Sequence, residues 1–473
     1  MEKFYKNELI QNCIYPQNPW EIIETSFNIK NNYRSETIFA LGNGYFGTRG
    51  TFEEAYDFDI DTGLEGNFIN GFYKSEKTRY GELVFGYPEK SRTILNVPNA
   101  KKIKLYVCGE EFDMRKGIFI SYERKLDLKN GLLTRTMIWE SPQKRRIHIK
   151  IKRYTSFTRP NLMVIEYFVT PIDFNGEIRF VSEIDTNVVN HTKNTNPLID
   201  YGPCGRTLIN EKVHADNNRA AVIQRVKNNG FHLYCGTVLS LKKISPKKSL
   251  KDFDPVFTST IKDGCPITET SIVMNECESA ALGKISGYWT SLEPQPGAAE
   301  LNKSFLFNIP LESLEKKAES ELRSALNAGF QELENEQRAY MESFWDNADV
   351  IMNGNVSVQQ GIRFNLFHIL QGAPRNRDEY ASVVDNNFFT NSMAGTWMSI
   401  TQGFAGMRVR DDTLFFKPRL PHGWKSCSFK IIFRGRRICV KISHGGAVFK
   451  LIEGDPLTIH VDGKPVFIKM ELT

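Results

Sequence analysis

Two periodicities divide the chain. Across the first 300 residues, short runs alternate apolar and polar side chains between turn-forming clusters. They are KIKLYV at 102–107, GIFISYE at 117–123, LLTRTMIW at 132–139, NLMVIEYFV at 161–169, EIRFVSEI at 177–184, AAVIQRV at 220–226 and FHLYCGTV at 231–238. A period of two puts successive side chains on opposite faces of a strand. With no helical pattern between them, the runs predict a large antiparallel β-sandwich over 1–300, and their dissimilarity excludes a repeat array.

The period changes at 311. Leu311, Leu314, Ala318, Leu322, Ala325 and Leu326 fall at helical spacing behind Pro310, and Gly329 is expected to separate two linker helices within 301–352. A second periodic stretch at 356–373 lines up Ile362, Leu366, Phe367 and Leu370 as a buried helix. The text from 374 to 397 is polar and turn-rich. Strands return at 414–473, a small C-terminal β-sheet domain with hairpin turns expected at Arg434-Gly435 and Asp462-Gly463. The fold class is therefore mainly β with a helical insert.

Composition narrows the partners. With 33 Phe and 17 Tyr the chain has too many core-forming rings for a disordered one. Its 61 Lys+Arg against 55 Asp+Glu leave +6, which asks for no nucleic acid. No run approaches the ~20 apolar residues of a membrane helix, and the polar N-terminus lacks a signal core, so no membrane is expected. Cys13, Cys108, Cys204, Cys235, Cys265, Cys277, Cys427 and Cys439 form no CxxC pair, which suggests reduced thiols and a cytoplasmic protein. The histidines show no ligand spacing, so no metal is expected. Arg135, Lys144, Arg145, Arg146, Lys150, Lys152 and Arg153 interleave the strands, as either an anion-binding face or a solvated sheet face.

Three segments could carry chemistry. The glycines of LGNGYFGTRGTFEE (41–54) suit a tight sandwich loop or a ligand-lining one, but lack a phosphate-binding fingerprint. Asp378-Glu379-Tyr380 sets carboxylates beside a ring, and an apolar pocket would raise a carboxyl pKa toward that of a general acid. Ser392-Met393-Ala394-Gly395-Thr396 precedes an apolar run and reads either as an N-cap or as backbone N–H groups offered to an oxyanion.

Several ordered segments together resemble glycoside hydrolase family 65, the inverting phosphorylases of maltose, kojibiose, nigerose or trehalose. They are residues 36–54, FINGFYKSE (68–76), ILNVPN (94–99), YERKLDLKNGLLTRTMIW (122–139), QQGIRFNLFHILQ (359–371), RDEYASVVDNNFFTN (377–391), SMAGTWMSITQGFAGMR (392–408) and LFFKPRLPHGW (414–424). The resemblance implies a β-sandwich, linker helices, an (α/α)6 barrel and a C-terminal β-domain. It also implies a reaction on an α-linked disaccharide, with inorganic phosphate as co-substrate and no other cofactor. Phosphate attacks the anomeric carbon from the opposite face and yields β-glucose 1-phosphate. One carboxyl protonates the leaving oxygen, and phosphate needs no second carboxylate as base. Carried over by position, Glu379 is the general acid, and Ser392, Gly395 and Thr396 lie in or near the phosphate loop.

The barrel does not fit. Twelve helices with loops need on the order of 200 residues. About 60 separate the helix at 356 from the sheet at 414, room for roughly three helices. The segment at 353–413 therefore resembles a barrel remnant with text lost after Ala373 and after Asn391. Phe364, Phe367, Ile369, Phe388, Phe389 and Trp397 lose their barrel partners and must repack or remain as an apolar patch. Three readings follow: a phosphorylase impaired by the barrel deletion, a non-catalytic carbohydrate-binding or degenerate β-scaffold, or a homodimer sharing helices to complete a core.

Overall fold

The structure is a computed structural model that describes residues 15–56, 62–77, 85–86, 90–190, 205–227, 230–244, 254–294, 306–373 and 395–470. Its centre is a nine-stranded antiparallel sheet. In spatial order the strands are Glu21–Glu24, Ile118–Asp127, Leu132–Glu140, Arg146–Thr155, Leu162–Pro171, Ser279–Thr290, His232–Ile244, Arg219–Val226 and Leu208–Asp216. A five-stranded sheet built around Gly176–Glu183 faces it. The alternating runs explain the pairing: Ile147, Ile149 and Ile151 point inward with Ile165, Tyr167 and Val169, while His148 and Lys150 point outward. The inward set joins Ile103, Leu105, Ile178 and Phe180 of the facing sheet in one core.

Four α-helices lie among the described residues: α1 (Ile29–Ile38), α2 (Leu311–Ala328), α3 (Phe330–Ala348) and α4 (Val356–Gly372). Helix α2 buries Leu314, Ala318, Leu322 and Ala325 on the outer face of the large sheet, against Tyr234, Ile285 and Trp289. The break at Gly329 is real: its φ of +82° suits glycine and redirects the chain into α3. None of the helices is long and apolar enough to cross a membrane, judged on the described residues.

Two four-stranded sheets form the C-terminal β-structure. One orders Ile351–Asn353, Ser426–Phe433, Arg436–Ser443 and Gly446–Glu453, and the other Arg408–Arg410, Thr413–Phe416, Leu457–Val461 and Lys464–Ile468. Both expected hairpin turns are present, with φ of +51° and +75° at Arg434-Gly435 and +47° and +81° at Asp462-Gly463. A single apolar cluster unites this region with the sandwich. It contains Leu126, Leu133 and Phe157 of the sandwich, Met341 and Trp345 of α3, Ile362, Leu366 and Phe367 of α4, and Phe416, Phe429 and Val440 of the C-terminal sheets. The orphaned faces of 356–372 and 395–404 have thus repacked. Phe367 is 1% exposed, and Phe364, Ile369 and Trp397 pack on the same cluster, with Trp397 edge-on to Phe429 at 5.9 Å. Phe388 and Phe389 lie outside the described residues.

Candidate functional site

Helix α4 organises the candidate site. The Asn355 side chain caps it, accepting from Val358 N at 3.1 Å. Its first turns are tied down by polar groups: Gln359 bonds Met352 N and Val350 O, while Arg363 forms a two-pronged pair with Asp349 and lies 3.4 Å from the Trp20 ring centre. Its last turns point to the glycine loop. Gln371 accepts from Gly42 N through its side chain and from Gly44 N through its carbonyl, the latter at 2.8 Å. Its amide donates to His368 Nδ1 at 3.1 Å, and complete burial pushes the His368 pKa down to about 3. His368 is therefore neutral at ordinary pH.

The glycine loop spends its donors on the protein. Tyr45 N and Phe46 N bond Asn43 Oδ1 at 3.1 and 3.0 Å, and Gly50 N bonds Glu36 O at 2.7 Å. Asn43 in turn donates to Ser156 O and Pro160 O. Of Gly42, Gly44, Gly47 and Gly50, Gly44 has the left-handed φ, +83°. The tight-loop reading accounts for these contacts; the N–H groups that a phosphate cradle would use are already taken.

Of the residues carried over as catalytic or phosphate-binding, Glu379 and Ser392 lie outside the described residues. Gly395 and Thr396 lie in a helical turn that continues as a π-helix, Ser399–Phe404. Gly395 is half-buried, and a Cβ placed on it would meet no described residue within 4 Å. The Thr396 hydroxyl accepts from Asn365 Nδ2 at 2.7 Å. The chain thus leaves α4 after Ala373 and returns to the same helix at Thr396. Sequence reasoning missed Asn365, His368 and Gln371, because all three sit among apolar residues in a helix, and Asn365 and Gln371 find their partners 31 and 329 residues away.

A second polar cluster lies inside the sandwich. Arg124, Arg135 and Arg153 stand on three adjacent strands, with Arg124 directly opposite Arg135. Arg135 donates to Glu53 at 2.9 Å and to Glu54 at 2.6 Å; Arg153 donates to Glu53 at 2.7 Å; Tyr167 donates to Glu54 at 3.1 Å. Arg124 instead bonds Gly50 O and rests on the Phe39 and Phe52 rings. All three arginines are at most 3% exposed. This corrects the sequence reading for Arg135 and Arg153, which belong neither to a solvated face nor to an anion-binding surface. Lys150 is on the solvated face, and Lys144 is exposed in the turn before that strand. Burial pushes both carboxyls up, but Arg153 and Arg135 reverse this for Glu53, which ends lowered. Glu54, also desolvated and beside Glu53, ends raised.

One group among the described residues could offer three metal-ligand atoms: Glu183, Asp185 and Cys265. Lys102 Nζ already sits 2.9 Å from Glu183 and 3.9 Å from Asp185, supplying the cation that these carboxylates need.

Comparison with known proteins gives this architecture a lineage. Residues 22–344 match the profile of glycosyl hydrolase family 65, N-terminal domain, and residues 407–468 match that family's C-terminal domain. This chain belongs to glycosyl hydrolase family 65. It is similar to the α,α-trehalose phosphorylase of Thermoanaerobacter brockii, 34% identical over 442 residues, covering 92% of this chain and 53% of the relative. The trehalose phosphorylase of Geobacillus stearothermophilus is 29% identical, covering 76% and 43%, and the kojibiose phosphorylase of T. brockii is 27% identical, covering 77% and 42%. The family 65 chain thus spans about half the length of the curated relatives it matches. A solved structure from the human microbiome, named for kojibiose phosphorylase, superimposes with a TM-score of 0.77 at 14% identity, over 97% of this chain and 99% of that one. At that identity the likeness is one of fold.

Proposed function

We propose that this family 65 chain is an α-glucoside phosphorylase-type protein that takes an α-linked disaccharide and phosphate and turns them over slowly. In this reading Glu379 protonates the leaving oxygen, and Ser392, Gly395 and Thr396 adjoin the attacking phosphate. The carrying observation is the packing of α4: Phe367, Ile362 and Leu366 are buried on the sandwich and the C-terminal sheets within one cluster. Among the described residues the sandwich and the C-terminal sheets complete the packing around α4, and in this reading the substrate-orienting walls of a closed barrel are reduced. Orientation carries much of the rate, and even small misplacements cost about 10²-fold.

The test is phosphorolysis of trehalose, kojibiose, maltose and nigerose, with release of β-glucose 1-phosphate as readout and Glu379→Gln alongside. Trehalose goes first, because the two trehalose phosphorylases named above share 34% and 29% identity with the chain. The expected outcome is product at least about 10²-fold more slowly than from a longer trehalose phosphorylase, and abolished by Glu379→Gln. Equal rates would overturn the impairment. Turnover untouched by Glu379→Gln would remove its role as acid. No product from folded protein would leave the non-catalytic β-scaffold as the better reading.

A further inference from the structure

The C-terminal sheets carry a basic groove. Its volume is about 600 Å3, within the ~300–1,000 Å3 usual for small-molecule sites and far more than a bare phosphate fills. Arg408, Arg410, Lys417 and Arg419 line it, facing a single carboxylate, Asp462. Three of the four cations are held in place. Arg408 donates to Gln402 O at 2.8 Å and Met407 O at 2.7 Å; Arg419 donates to Pro418 O at 2.6 Å and Asp462 at 3.3 Å; Arg410 lies 6.0 Å from the Phe415 ring centre. The nearby Asp412 is bonded to Arg434. Cations held before binding lose less freedom when an anion arrives. Phe415 offers an apolar ring of the kind that packs on sugar C–H groups, and Gln402 adds an amide at the rim.

We propose that this groove binds a phosphorylated sugar, its phosphoryl group on Arg408, Lys417 and Arg419 and its ring toward Phe415. The groove begins at the end of the π-helix, whereas Thr396 lies in the helical turn before it and bonds back to α4. The groove lining starts at Gln402, beyond Thr396 in the chain, and its occupancy is read by binding rather than by turnover.

The test is calorimetric titration of the whole chain with β-glucose 1-phosphate, inorganic phosphate and glucose. Arg408→Gln/Lys417→Gln and Glu379→Gln are titrated in parallel. Both groove residues are exposed, so the double variant is expected to fold, with circular dichroism as the check. The expected result is saturable binding of the sugar phosphate that is tighter than that of inorganic phosphate and weakens as salt rises. It should weaken at least tenfold in the double variant and stay unchanged in Glu379→Gln. Binding lost in Glu379→Gln but kept in the double variant would overturn the proposal, as would the absence of saturable binding. Equal affinity for inorganic phosphate would overturn the assignment of a sugar.

Discussion

The sandwich and the C-terminal sheets both hold rows of arginine, and they use them in opposite ways. In the sandwich Arg124, Arg135 and Arg153 are buried and matched to carboxylates, carbonyls and rings. On the C-terminal sheets Arg408, Arg410 and Arg419 are exposed, and their partners are mostly main-chain oxygens that leave the charge unneutralised. A buried guanidinium must be satisfied by the protein, so its contribution is to folding and register. An exposed one can be left partly free, so its contribution is to a ligand. The difference teaches that charge on a strand says little until its face is known.

The largest effect is expected where the buried row is cut. Arg135→Met leaves Glu53 and Glu54 in the core without the cation they share. Removing one partner of a buried pair costs about 3–5 kcal/mol. A urea midpoint that drops accordingly supports the account, and a midpoint within experimental error of the parent would sink it. Glu54→Gln added to Arg135→Met should recover part of the loss, because one stranded charge is then gone.

The two regions also differ in what the sequence revealed. The alternating runs from KIKLYV to FHLYCGTV disclosed the strands, because a period of two survives whatever the partner strand is. The helices at 311–348 and 356–372 were equally legible, since their burial follows local spacing. The short strand Ile351–Asn353 was not: its three residues pair with Ser426–Ser428, and nothing local marks them. Arg135 and Arg153 escaped for a related reason. Both stand on the inward side of alternating strands, Arg135 with Met137 and Trp139 and Arg153 with Ile149 and Ile151, but a charged residue there does not read as core while the acids that draw it inward sit 80 or more residues away. At the site, motif resemblance supplied Glu379, Ser392, Gly395 and Thr396. The bonds from Gln371 to the glycine loop and from Asn365 to Thr396 could be seen only once the chain was folded.

A smaller, pH-dependent effect separates the regions again. Glu36 lies at the edge of the buried cluster, accepting from Leu64 N and Asn32 Nδ2, with Arg49 at 3.6 Å. Burial raises its pKa to about 7, above the 4.5 of an unfolded chain. The folded state thus prefers the protonated acid. Its contribution is complete below about pH 4.5 and is lost as pH rises through about 7, roughly 3 kcal/mol across the window. His368, held neutral by burial, acts in the opposite sense over part of that range, so the parent curve alone does not isolate Glu36. Subtracting the curve of Glu36→Gln does. The difference should fall with rising pH between about 4.5 and 7, and a flat difference would refute the raised pKa.

The smallest effect belongs to another exposed arginine of the C-terminal sheets, outside the groove. Arg434 pairs with Asp412 at a hairpin turn, with 54% and 71% of the two side chains exposed. Water solvates both charges before and after the pair is broken, so its strength is limited to what an exposed pair can give. Arg434→Gln is expected to cost less than about 1 kcal/mol, and less still in high salt. A thermal midpoint lowered as far as in Arg135→Met would erase the contrast between the two rows. The C-terminal arginines would then have to be counted, like those of the sandwich, among the groups that hold the fold.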